Sequence, residues 1–160
     1  MLRVCYYYYK LHNILKQTFL DIIKQHTICN PTDADFEAIK HFIKQFELDD
    51  RDLQHSQFLV GKDDDGLLGF GRIRIRENCS ELSSLGVLEP KRMQGIGKLL
   101  VKKLILKSEQ PLYLVCIIPN FFNPFGFKIV SEYPEAIKEK LDYCTSELIV
   151  PEPYVVMKYF

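Results

Sequence analysis

Apolar residues recur along this chain with two different periods, and the switches between them mark out its elements. Leu11, Ile14, Leu15, Phe19, Ile22 and Ile23 are spaced as on one face of a helix, with Lys16, Gln17, Asp21 and Lys24 between them. Residues 1–25 are therefore expected to form an N-terminal helical extension, distinct from a domain over residues 26–160. That helix would pack on the domain surface; a homodimer contact helped by Tyr6–Tyr9 is the alternative. A short strand is predicted over 27–30. Thr32 or Asp33 then caps a helix whose buried stripe is Phe36, Ile39, Ile43 and Phe46. The acidic stretch 48–53 reads as a loop or a second short helix.

Strand-like runs follow at 57–61, 67–76 and 81–88. The first two are joined by Asp63-Asp64-Asp65-Gly66, a tight-turn signal. The aspartates also invite a calcium reading, but the remaining ligand positions of a calcium loop are missing. Arg72, Arg74 and Arg76 alternate with Ile73 and Ile75 at a clean period of two. Their shared face is expected to be solvated, although forked hydrogen bonds to a carboxylate would suit them as well. From 95 to about 108 the period is helical, with Ile96, Leu100, Val101, Leu104 and Ile105 on one face and Lys98 and Lys102 reaching water. Residues 111–118 are nearly all apolar, as in a strand covered on both faces. A helical turn at 120–125, a strand at 127–130, a helix at 134–143 and a last strand at 154–159 complete the order. The class is α/β (α+β), a mixed sheet flanked by helices.

Composition narrows the possibilities. Lys plus Arg and Asp plus Glu are 21 each, giving no net charge. The basic excess typical of nucleic-acid binding is absent from the total. The five cysteines (Cys5, Cys29, Cys79, Cys116, Cys144) and the four histidines are scattered, with no metal-ligand spacing. Free thiols in a reducing cytosol and no bound metal are expected. No apolar run reaches membrane-spanning length, and Lys10 and His12 interrupt the N-terminal aromatic run. A soluble cytoplasmic protein is the expectation, with no nucleic acid or membrane partner.

The chemistry gathers in Leu85-Gly86-Val87-Leu88-Glu89-Pro90-Lys91-Arg92-Met93-Gln94-Gly95-Ile96-Gly97-Lys98. A strand ends, a proline-bearing turn follows, and a glycine-containing loop opens a helix. The first N–H groups of a helix lack internal partners and sit at the positive end of its dipole. They bind an anion when the backbone can approach it, and Gly95 and Gly97 remove blocking side chains. Arg92, Lys91 and Lys98 add positive charge. The loop is predicted to hold a pyrophosphate. A Rossmann fingerprint would need a third glycine where Leu100 stands, and a Walker loop would need Ser or Thr in place of Leu99.

What remains resembles motif A of the GNAT acetyltransferase superfamily, Arg/Gln-x-x-Gly-x-Gly/Ala, filled by Arg92, Gly95 and Gly97. Leu85-x-Val87-x-x-Pro90 is similar to that family's fourth strand. Residues 112–116, then Asn120-Phe121-Phe122 and Gly126-Phe127, are similar to its fifth strand, fourth helix and sixth strand. The resemblance covers residues 27–131 and, more loosely, the end of the chain. Glu81-Leu82-Ser83-Ser84-Leu85-Gly86-Val87, with Phe121-Phe122 and Gly126-Phe127, narrows it to the acetyltransferase domain of N-acetylglutamate synthase-type enzymes.

The resemblance implies a mostly antiparallel sheet of six to seven strands. It also implies acetyl transfer from acetyl-CoA to a primary amine, either a small molecule such as an amino acid or a protein. A non-catalytic acetyl-CoA-binding module is the further alternative. The implied cofactor contacts are Leu85, Gly86, Val87, Arg92, Met93, Gln94, Gly95, Ile96, Gly97, Lys98, Asn120 and Phe122. A main-chain N–H near Leu85 would meet the developing oxyanion. Glu81 would take the amine proton through water; a surface glutamate at a strand start is the alternative. Many relatives place a tyrosine acid where this chain has Phe122, so Tyr113 and Tyr143 are the remaining donors. Cys116, in an apolar strand, reads as core rather than nucleophile.

Overall fold

The computed structural model describes residues 26–160; the expected N-terminal helix lies outside the described residues. The chain forms β1 (Thr27–Cys29), α1 (Asp33–Gln45), β2 (Phe58–Asp63), β3 (Gly66–Ile75), β4 (Ser80–Val87), α2 (Ile96–Lys107), β5 (Leu112–Cys116), α3 (Pro119–Phe122), β6 (Phe127–Ile129), α4 (Glu135–Glu147) and β7 (Val155–Tyr159). The strands make one seven-stranded sheet in the order β1-β2-β3-β4-β5-β7-β6. Every neighbouring pair is antiparallel except β4 and β5.

Local chemistry explains the boundaries. Thr32 caps α1: its hydroxyl accepts from the Asp35 N–H while the Asp35 carboxylate accepts from the Thr32 N–H at 2.8 Å. Lys62 on β2 binds the same carboxylate at 3.0 Å and ties the helix start to the sheet. In the β2–β3 hairpin, Asp63 pairs with Gly66, and its carboxylate accepts from the N–H groups of Asp65 and Gly66. The aspartate run is a turn, as its pattern predicts.

Two apolar layers cover the sheet. Ile39 and Ile43 of α1 pack on Phe58, Val60 and Phe70 on one face. Leu100, Val101 and Leu104 of α2 pack on Ile73, Leu82 and Leu114 on the other. A third cluster joins Ile137 of α4 to Tyr113 and Val156 on β5 and β7.

The solvated face expected for Arg72, Arg74 and Arg76 is not found. Arg72 is fully buried and Arg74 nearly so. Period-two alternation shows which residues share a face but not what covers it, and here the 46–57 segment and α4 close over that face.

Candidate active site

Two irregularities in β4 open the sheet. β4 and β5 are paired only from Ser80 to Leu82 and from Leu112 to Leu114. Beyond that β4 runs on to Val87 and β5 to Cys116, so the strands part. On its other edge β4 carries a bulge. Phe70 faces Gly86 and Arg72 faces Ser83, leaving Gly71 opposite both Ser84 and Leu85. Ser84 takes a left-handed backbone, φ +46°, and its hydroxyl donates to the Asp49 carbonyl at 3.0 Å. The bulge redirects Leu85, Gly86 and Val87 at the point where β4 leaves its parallel neighbour.

A cavity of about 290 Å³ occupies the gap. Ser83, Leu85 and Cys116 line it from the strands, together with Phe122 of α3, Asp49 of the loop after α1 and Lys140 of α4. Burial pushes the Cys116 thiol up to about 11, and its Sγ lies 3.8 Å from the Met157 sulfur. It is a core thiol, as the apolar strand predicts. Phe122 is also core on one side, edge-on to Phe121 and Phe127. Neither Tyr113 nor Tyr143 lines the cavity; the tyrosine that does is Tyr154, whose hydroxyl donates to the Leu148 carbonyl at 2.8 Å.

The loop after β4 leads through a 3₁₀ turn into an uncapped helix start. Leu88 closes onto β3 through a bond to the Leu68 carbonyl, and a single 3₁₀ turn spans Glu89–Lys91. Arg92 donates to the Val87 carbonyl at 3.2 Å, Gln94 donates to the Pro90 carbonyl, and Met93 is fully exposed with φ +64°. Gly95 is the N-cap of α2 at φ +84°, a conformation that suits glycine. No side chain caps α2 and its first turn holds no acidic residue, so its leading N–H groups face outward unspent. Ile96 anchors the turn in the core, while Lys98 stays exposed. Lys91 is partly drawn off, because it pairs with Asp63 at 3.1 Å. These residues fit a pyrophosphate: uncapped amides, no blocking side chain and cations nearby.

The residues expected from sequence fall in three places. Leu85, Gly86 and Val87 are on the bulged end of β4, the residues from Arg92 to Lys98 form the loop and helix start, and Phe122 is on the cavity wall. Asn120 is exposed on α3, where its Oδ1 accepts from Asn123 at 3.5 Å. Glu81 stands apart. It is completely buried at the paired end of β4, its Oε2 is gripped twice by Arg76, and its Oε1 is 3.7 Å from Lys140 Nζ. It does not line the cavity, and it is no surface glutamate.

A buried charge cluster went unread in the sequence. Asp49, on the loop after α1, bonds Lys140 at 2.6 Å and Arg51 at 2.8 Å, with Arg74 at 3.7 Å. Burial alone would raise its carboxyl, but the Arg51 and Lys140 contacts hold it well below the usual carboxylate range. Burial and the neighbouring Arg74 lower Arg72 to about 10. Tyr143 lies flat beneath the Arg51 guanidinium at 3.5 Å, and its hydroxyl is raised by burial. One sequence signal was available: Lys140 falls on the same helical stripe as Ile137 and Cys144, which marks it as inward-facing.

A family model for the acetyltransferase (GNAT) family matches residues 11–127. The chain belongs to the GNAT family. No curated protein sequence matches it. Among solved structures, this GNAT chain is similar to N-acetylglutamate synthase from Neisseria gonorrhoeae complexed with coenzyme A and N-acetyl-glutamate. The TM-score is 0.65 at 17% identity, covering 84% of this chain and 34% of that one. This chain thus spans about a third of that synthase. Rv2747 from Mycobacterium tuberculosis, in complex with CoA and NLQ, gives 0.66 at 16% identity over 83% of this chain and 98% of that one. Arabidopsis thaliana Naa50, in complex with the bisubstrate analogue CoA-Ac-MVNAL, gives 0.61 at 20% identity over 85% and 99%. These likenesses establish the GNAT fold, with its mixed and mostly antiparallel sheet. No helix among the described residues is long and apolar enough to cross a membrane.

Proposed function

We propose that this GNAT chain transfers the acetyl group of acetyl-CoA to the primary amine of a small molecule, acting in the cytoplasm without a metal. The observation that carries the reading is the parting of β4 from β5 beyond Leu82, with Val87 at the end of β4 next to Gly97 at the uncapped start of α2. A cavity between the parted strands and an uncapped helix start support the reading, because a pantetheine arm and a pyrophosphate require these two halves. Neighbours of the same fold were crystallised with coenzyme A.

Acetyl-CoA supplies the acetyl group as a thioester. The pyrophosphate would rest on the amides of residues 93–98 beside Arg92, with Asn120 and Phe122 flanking the arm. The edge of β4 beyond Leu82 has no partner on the β5 side, so the arm can bind it as an added strand. A main-chain N–H at the bulge, near Leu85, would donate to the oxyanion. The amine must lose a proton to attack. Glu81 does not line the cavity, but Lys140 does and lies 3.7 Å from its Oε1, so its proton-accepting role would run through Lys140 or water.

A small acceptor is favoured because Asp49 and Lys140, both in the cavity lining, are joined at 2.6 Å and the cavity is about 290 Å³. The competing reading is a module that binds acetyl-CoA without turnover. It is favoured by Phe122 at the acid's position and by the cations paired with the buried carboxylates Asp49 and Glu81. A panel of amines with acetyl-CoA, followed by thiol release, separates the two. Release with a small amine supports transfer; tight acetyl-CoA binding in calorimetry with no release from any amine favours the module.

A further inference from the structure

The connection between α4 and β7, residues 148–154, forms a strap along the cavity. Leu148, Val150 and Tyr154 are half-buried and line the cavity, while Ile149 between them is 82% exposed. Two open clefts flank the strap. One, of about 460 Å³, is bounded by Lys44, Tyr143 and Glu147; the other, of about 620 Å³, by Leu141, Thr145 and Ser146. Val150 is in the lining of both clefts and of the cavity, so a single residue stands between the three spaces.

Little holds the strap in place. No main-chain group from Ile149 to Glu152 hydrogen-bonds to another of the described residues, so these groups already rely on water. Pro151 and Pro153 stiffen its outer part. One bond closes its ends on each other, from the Tyr154 hydroxyl to the Leu148 carbonyl at 2.8 Å. Swinging the strap outward breaks that bond and uncovers Leu148 and Val150, but it parts no strand and unwinds no helix. Segments with so few bonds open locally while the rest of the fold stays closed.

We infer that residues 148–154 are a lid: the strap opens about Leu148 and Tyr154, joins the cavity to its flanking clefts and admits small molecules by a route separate from the start of α2. The inference rests on the proposed acetyl transfer for calling the entering molecule the acceptor; the lid itself does not.

Cys144 reports the opening, because it is buried and lines the cavity with Leu148 and Val150. The whole native protein is treated with iodoacetamide, and alkylation of Cys144 is followed by peptide mass spectrometry. Its rate should be nearly independent of urea below the unfolding transition, as local opening requires. Val101→Ala weakens the core under α2, away from the strap, and should lower the urea midpoint while leaving the Cys144 rate unchanged. Tyr154→Phe removes the closing bond and should raise that rate roughly fivefold, the scale of one neutral hydrogen bond. Desulfo-coenzyme A, which has no thiol of its own, should leave the labelling in place. The lid is overturned if Cys144 stays unlabelled or if its rate follows global stability in Val101→Ala. An unchanged rate in Tyr154→Phe, or labelling abolished by desulfo-coenzyme A, would overturn it as well. Lid opening as expected, with no thiol release from any amine, would keep the lid and refute the transfer reading instead.

Discussion

At Gly97 a Cβ would stand 3.4 Å from the Phe121 ring and 3.6 Å from Val87, ordinary contact distances. The fold therefore does not demand glycine there; the proposed pyrophosphate on these amides would. Gly97→Leu should melt within a few degrees of wild type and lose roughly tenfold or more in acetyl-CoA affinity, the scale of one charge-assisted hydrogen bond. Calorimetry checks it, and unchanged affinity would remove the pyrophosphate from this loop. Phe122 tests the acid. Its ring is fixed by Phe121 and Phe127 and it lines the cavity, so Phe122→Tyr keeps the packing and adds a hydroxyl at the wall. Acetyl-CoA affinity should stay within about twofold, well inside the tenfold that one lost contact would cost. The pH–rate profile should gain an alkaline limb. A wild-type profile that already has that limb, lost in Tyr154→Phe, would show that Tyr154 is the acid. Glu81→Gln should lower turnover by about 10²–10⁴-fold if the carboxylate takes the proton, with acetyl-CoA affinity unchanged. Wild-type turnover would leave Glu81 as the structural partner of Arg76 and Lys140.

Among the elements, the 46–57 segment decides the shape of the acceptor side. It leaves α1 with Glu47 at φ +52° and turns again at Asp52, φ +51°. Its hold on the sheet comes from below: Arg72 donates to two of its carbonyls and to Gln57, and Ser84 donates to the Asp49 carbonyl. Arg72→Met strips three acceptors of their donor while relieving an uncompensated buried charge. The net loss should be on the order of 2 kcal/mol, read as a lower urea midpoint. Amide exchange should accelerate in residues 49–53 and not in α2. Equal acceleration in both would mean that Arg72 supports the whole sheet rather than the segment.

For the whole molecule, Asp49 is the joint between layers, since it meets Arg51 on its own loop, Arg74 on β3 and Lys140 on α4. Its folded carboxyl titrates below the unfolded value, so ionised Asp49 adds stability above about pH 4, the ordinary aspartate range. That contribution fades as pH falls from there toward the depressed value. Asp49→Asn should be less stable than wild type at neutral pH and show a flatter decline between about pH 5 and 3. Urea unfolding across that range measures it, and parallel curves would mean that Asp49 is not a titrating joint.

Much of this was legible in the linear pattern. The capping box at Thr32 and Asp35, the hairpin at Asp63 to Gly66, the stripes of α1 and α2 and the glycine-opened helix all depend on residues a few positions apart. Local spacing determines such features, and the same stretch carries the family's motif. Whether Arg72 and Arg74 meet water, whether Glu81 faces the cavity and which carboxylate reaches Lys140 depend on residues as distant in sequence as Asp49 and Lys140. Period two places the arginines on one face, but only the packing of the 46–57 segment and α4 against β3 and β4 buries that face. Burial is set by what lies opposite, and only the closed fold supplies that.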